Sequence, residues 1–103
     1  MSDGINFCRI EDLTPNDTNV NVICRLVRVT SVLTKKRSDG GSCKVATAVI
    51  ADSTASITLM AKNEEIDQLE PGVVLAVRNG DCRVIGDNMI IAIEKFGSVS
   101  LLK

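Results

Sequence analysis

From Val20 onward the chain runs in short stretches where apolar and polar residues alternate, each closed by turn residues. A period of two belongs to half-buried strands, so it restricts the chain to folds in which a sheet covers a core with one face. The first stretch carries Val20, Val22, Cys24 and Leu26 on one parity, and Val27 and Val29 continue on the other. A slip of one residue inside a strand is how a β-bulge reads in sequence. A strand from Val20 to about Thr34 is long enough to bend and serve two halves of a barrel. Further strands are predicted over 44–51, 56–62, 73–85 and 89–95, with Asp52-Ser53-Thr54 and Gly86-Asp87-Asn88 as tight turns. Gly80 interrupts the fourth of these runs and predicts a bulge there.

One segment breaks the period. Asn63 can cap a short helix over 64–69, with Glu64, Glu65 and Asp67 near its start and Pro71-Gly72 ending it. Three strands, a short helix and two strands is the order of the OB-fold, a five-stranded Greek-key barrel in the all-β class. An SH3-like barrel is the main rival, but it has less reason to place a helix between strands three and four. Val99, Leu101 and Leu102 add a short terminal strand. No repeat or low-complexity linker appears. Residues 1–103 therefore read as a single domain, with a lead-in at 1–18, the barrel at about 19–96 and a C-terminal strand or tail at 97–103.

Composition narrows the function. The chain of 103 residues is 45% hydrophobic and 24% charged, which are globular values, and its net charge is −1. A nucleic-acid role must then rest on a local basic patch, because the whole-molecule field would not attract phosphate. There is no His, which excludes Ser-His and Cys-His nucleophiles and His metal ligands. Cys8, Cys24, Cys43 and Cys82 lack C-x-x-C spacing and read as free thiols; a zinc site would need the fold to gather all four. The acidic cluster Glu64, Glu65, Asp67 and Glu70 is explained by a helix start rather than by acid–base chemistry. Gly40-Gly41 lacks the pattern of a phosphate-binding loop. The expectation is a non-enzymatic protein without a cofactor. The first residues show no signal-peptide pattern and no apolar run spans a bilayer, so the expected setting is nuclear or cytoplasmic, without a membrane partner.

The sharpest local feature is Lys35-Lys36-Arg37, between the first two strands, with Arg25, Arg28 and Lys44 flanking it. OB-folds use that loop to hold oligonucleotides, and clustered cations are what phosphate neutralisation needs. The plain alternative is a solvated loop that keeps a strand edge from aggregating. Lys62, Arg78, Arg83 and Lys95 form a second candidate set. Alternation turns Lys62 outward, whereas the Gly80 bulge leaves the faces of Arg78 and Arg83 open. If Ile57 and Leu59 face the core, the opposite face carries Val45, Thr47, Val49, Thr58, Met60, Ile85, Ile90 and Ala92. An aliphatic face of this kind suggests a protein partner or a homodimer through Val45, Val49, Met60, Ile85 and Ile90.

Three segments carry a family resemblance. Asp52-Ser53-Thr54-Ala55-Ser56-Ile57, Leu69-Glu70-Pro71-Gly72-Val73-Val74 and Gly80 resemble the turns and strand glycine of the replication protein A-like OB-folds. Within these the chain is most similar to the simple single-stranded DNA-binding subunit of the eukaryotic sensor-of-ssDNA complex. The resemblance spans Asn19 to Lys95 and implies single-stranded DNA binding of the replication and repair type. It also implies base-stacking positions, which fall here on Lys62, Asp81, Ile85 and Ala92, none aromatic. Lys95 falls where the family carries an arginine. The expected function is therefore single-stranded DNA or RNA binding, mainly through phosphate contacts. The alternative is an OB-fold protein-interaction subunit of a larger complex.

Overall fold

The computed structural model describes residues 7–93 and 97–102. Its strands are β1 (Val20–Lys36), β2 (Ser42–Ala51), β3 (Ser56–Lys62), β4 (Val74–Ile85), β5 (Asn88–Ala92) and β6 (Ser98–Leu102). They follow the order β1-β2-β3-β5-β4-β6, and β1 also pairs with β4, closing the sheet. All these pairings are antiparallel except β3 with β5. This is the Greek-key closure of an OB-fold. β5 and β6 both run along β4, one beside its second half and the other beside its first, so together they act as one interrupted strand.

β1 does serve two halves of the barrel. Residues 20–25 pair with β4 and residues 25–36 with β2, with register shifts between Leu26 and Arg28 and again between Val29 and Ser31. The first shift is the parity slip at Val27. In β4 the register slips between Val77 and Gly80, where Asn79 takes φ 56° and its N–H donates to the Asn21 side chain at 3.1 Å. Gly80 lies just beyond, pressed against the interior. A Cβ there would stand 2.7 Å from the Cγ2 of Ile91 and 3.3 Å from the Cγ1 of Val77.

The core follows the alternation. Val22, Leu26, Ile50, Leu59, Leu75, Val77 and Ile91 are wholly buried, together with Ala46, Ala48 and Ala61. Ile10 and Leu13 of the lead-in complete its lower end, at a short 3-10 turn over Ile10–Asp12. The Asp52 carboxylate ties that lead-in to the β2–β3 turn. It accepts the N–H of Ile10 (2.8 Å), the N–H of Thr54 (2.7 Å) and its hydroxyl, and the N–H of Ala55 (3.1 Å). Burial alone would raise its pKa, but these donors outweigh burial and hold it down at about 2.

The expected helix over 64–69 is corrected to a 3-10 turn over Asn63–Gln68. Asn63 does not cap it. Asn63 lies at φ 52°, and its side-chain oxygen instead accepts the N–H of Lys44 at 3.1 Å. The six-residue turn closes on an i→i+3 bond from Leu69 N–H to the Ile66 carbonyl. β5 ends at Ala92, short of the expected residue 95.

Candidate nucleic-acid interface

Strand register lays out the outer face of β1, β2, β3, β5 and β4 in cross-strand rows. One row reads Arg28, Val49, Thr58, Ile90, Arg83. The next reads Ser31, Thr47, Met60, Ala92, Asp81, and the third Leu33, Val45, Lys62. Lys35 lies beyond, opposite Cys43. Neighbouring strands lie about 4.8 Å apart, so Arg28 and Arg83 stand at the two ends of a row about 19 Å long, measured along the curved sheet. Three cations, Arg28, Lys62 and Arg83, and the single carboxylate of Asp81 lie on these rows, with Lys35 just beyond, a local positive excess on a chain of net charge −1.

The floor of this groove is neutral. Ile90 and Ala92 are 5% and 2% exposed, yet they lie outside the interior cluster that holds Ile91 and Ile93. They form a packed aliphatic floor. Beside it is a cluster of hydroxyls. The Thr30 hydroxyl lies 2.7 Å from that of Thr47 and 3.0 Å from the Thr47 carbonyl, and Ser31 Oγ lies 2.8 Å from Thr47 Oγ1. At the lower end the groove opens into a cleft of about 530 Å³ that Arg28, Thr58, Asn88, Met89 and Glu11 help to line.

The sequence-predicted residues divide across this geometry. Lys35, Lys62 and Arg83 come to the groove face. Lys36 and Lys44 sit on the other face of the β1–β2 ribbon, because a ribbon alternates its side chains and they pair with Ser42 and Thr34. Arg37 lies at the ribbon's tip, where its N–H donates to the Gly41 carbonyl at 2.8 Å and Asp39 holds the Gly41 N–H. Arg78 is set apart. It lies beside β6 on another part of the barrel wall and donates to Ser100 Oγ at 2.7 Å. Lys95 lies outside the described residues. Arg28 belongs to the groove by register; the parity slip at Val27, which turns it outward opposite Val49, is the signal that points to it.

The aliphatic face is also divided. Val45, Val49 and Met60 are half-buried in the groove, but Ile90 is covered, and Ile85, 54% exposed, sits at the far corner beyond Arg83. Leu101 and Leu102 pair with the first half of β4 and leave the groove uncovered. Cys24 and Cys82 are buried among apolar neighbours, and burial pushes their thiols up to about 12 and about 11, so both are neutral packing residues. No helix among the described residues is long and apolar enough to cross a membrane.

Residues 13–101 match the family described as single-stranded DNA binding protein Ssb-like, OB fold, and the chain belongs to that family. Among solved structures it is similar to the second OB-fold domain of replication protein A from Methanococcus maripaludis. That match has a TM-score of 0.76 and 19% identity over 95% of this chain and 96% of that one. It is also similar to the replication factor A related protein of Methanobacterium thermoautotrophicum, with a TM-score of 0.78 and 19% identity over 99% and 96% of the two chains. An uncharacterized protein of Arabidopsis thaliana is 22% identical over 102 residues, 90% of this chain and 67% of the relative. At such identities the structural likeness shows the fold.

Proposed function

We propose that the whole chain is one OB domain that binds single-stranded nucleic acid, DNA in particular, along the groove of β1, β2, β3, β5 and β4. Binding rests mainly on phosphate contacts from Arg28, Lys35, Lys62 and Arg83, with Lys36, Arg37 and Lys44 on the ribbon adding reach. The observation that carries this reading is the cross-strand row with an arginine at each end, on the face where OB-folds hold oligonucleotides. Membership of the single-stranded DNA-binding family supports it. We further place the protein in DNA replication or repair in the nucleus, the setting of the sensor-of-ssDNA proteins that its turns resemble.

The test is a fluorescence-anisotropy titration of the chain with labelled oligo-dT and oligo-U at about 50 and about 200 mM salt. Four phosphate contacts correspond to a log–log salt slope of about −2.8 on a single strand, so this rise in salt should weaken binding about 50-fold. Absence of affinity at the lower salt would refute the reading.

A second reading has its own observation. Val32 and Leu33 on the β1–β2 ribbon are 51% and 58% exposed, and exposed aliphatics of this size suit a protein contact in a larger assembly. Light scattering coupled to size-exclusion chromatography decides it. A dimer that Leu33→Asp converts to monomer would favour this reading, and a wild-type monomer would argue against self-association.

A further inference from the structure

We infer that the outer edge of β1 over residues 31–36 takes an added strand from a protein partner, a short extended segment in which acidic residues precede a pair of aliphatics. The inference goes beyond the nucleic-acid reading above and does not rest on it.

Backbone parity defines this edge. β1 pairs with β4 as far as Arg25, and the Gly72 N–H donates to the Leu26 carbonyl just past it. From Ser31 to Lys36 the strand keeps unbroken register with β2 on one side, and no other strand among the described residues pairs with it there. The hairpin turn sets which backbone groups face β2. The Arg37 N–H donates to the Gly41 carbonyl at 2.8 Å, and bonded pairs recur at every second residue of an antiparallel ladder. Lys35 with Cys43, Leu33 with Val45 and Ser31 with Thr47 are therefore the bonded pairs. The N–H and C=O groups of Val32, Thr34 and Lys36 point the other way, and every residue from Thr30 to Ser42 is exposed. Donors and acceptors alternating along an exposed edge are a template for a further strand.

The side chains specify which strand fits. Val32 lies on one face of the ribbon and Leu33 on the other, 51% and 58% exposed. An aliphatic residue opposite each would cover both. Toward the tip follow Lys35, Lys36 and Arg37, and no carboxylate occurs between Arg25 and Ser38. Asp39, the next acid along the chain, is turned to the Gly41 N–H. A second copy of the chain is a poor occupant. Antiparallel pairing of this edge with itself about Thr34 would bring Lys35, Lys36 and Arg37 of both ribbons within about 20 Å of strand, like charge against like. The lysines that keep copies apart select a strand of opposite charge. In the antiparallel sense, the more stable one, the N-terminal half of the partner segment runs along Lys35 to Arg37, so its acids come first and its aliphatics reach Leu33 and Val32.

The experiment uses a fluorescein-labelled peptide, Glu-Glu-Glu-Thr-Val-Val-Thr, which runs from Arg37 back to Ser31. Two N-methylated forms keep its charge and its aliphatics. One carries methyls on the second, fourth and sixth amides, which face β1; the other carries them on the third and fifth, which face away. Titrated by anisotropy at about 50 mM salt, the first form should bind at least about tenfold more weakly than the parent peptide, and the second within about threefold of it. Lys35→Glu with Lys36→Glu should weaken the parent peptide about tenfold. Hydrogen exchange followed by NMR should slow at the Val32, Thr34 and Lys36 amides when the peptide is added. Equal affinity of the two methylated forms, or binding that leaves those three amides exchanging as before, overturns edge pairing and leaves a charge contact only. No peptide binding also overturns it, and oligo-dT binding by the same sample then leaves the nucleic-acid reading standing. A dimer by light scattering, with the three amides already protected before peptide is added, would show that a second copy holds the edge and would overturn the acidic partner.

Discussion

Asp52 holds the turn between β2 and β3 and the lead-in to the barrel with one carboxylate, and its removal is the most quantifiable test of the fold. Asp52→Ala withdraws the acceptor from the N–H of Ile10, the N–H and hydroxyl of Thr54 and the N–H of Ala55. A hydrogen bond to a charged group contributes about 1.5–3 kcal/mol, but this turn lies at the surface and water replaces part of what is lost. A net cost of about 2–4 kcal/mol follows, the Ile10 bond weighing most because it also anchors a core residue. For a domain of this size that is a fall in Tm of at least about 10 °C. The effect has a pH signature. The carboxyl titrates at about 2 in the folded chain, below its ordinary 3.8, so its contribution is complete above about pH 4 and is lost as pH falls through about 2. Thermal denaturation followed by circular dichroism between about pH 7 and pH 2 should show wild type and Asp52→Ala far apart at neutral pH and converging in acid. A variant that melts within about 3 °C of wild type at pH 7 would refute the argument that this carboxylate joins the lead-in to the barrel.

The remaining predictions concern the groove and the core. Arg28→Ala with Arg83→Ala should reduce the magnitude of the single-strand salt slope by about 1.4, read by anisotropy at several salt concentrations; an unchanged slope removes the arginine row from the site. Lys35→Ala, Lys36→Ala and Arg37→Ala together should weaken oligonucleotide binding and flatten its salt dependence with little change in Tm, since the ribbon tip is exposed. Lys62→Trp should tighten binding to oligo-dT by supplying a stacking surface on the groove face while leaving abasic strands without that gain; equal effects on both probes would argue against stacking there. Gly80→Ala should cost about 1–3 kcal/mol in urea denaturation, because the new Cβ would sit 2.7 Å from a buried methyl of Ile91. A neutral result would mean that β4 shifts freely at this point.

Much of the barrel was legible because alternation is a direct record of burial. Val22, Leu26, Ile50 and Leu59 declare the core parity, and the slip at Val27 marks where β1 leaves β4 for β2. The second slip, at Thr30, left no such mark, since Thr30 and Ser31 are polar on either parity. Parity also gives the face of a side chain and not its depth, so Ile90 reads as exposed although it is buried. The 3-10 turn after β3 reads as a helix in sequence because acidic residues before Pro71 suit both, and only tertiary pairing diverts the Asn63 side chain to Lys44. The basic set separated for a similar reason. Lys35-Lys36-Arg37 is contiguous in sequence, but a two-stranded ribbon sends alternate residues to opposite faces, while Arg28 and Arg83 become row partners only through closure by β3 and β5.

The location of the site is tested most directly by two-dimensional ¹⁵N–¹H NMR of the chain titrated with unlabelled oligo-dT at low salt. The account predicts shift changes at Arg28, Ser31, Thr47, Thr58, Lys62 and Arg83, with Ile23, Ala76, Arg78 and Ser100 on the β1–β4–β6 wall unmoved. Perturbations centred on that wall, with the arginine row silent, would contradict it.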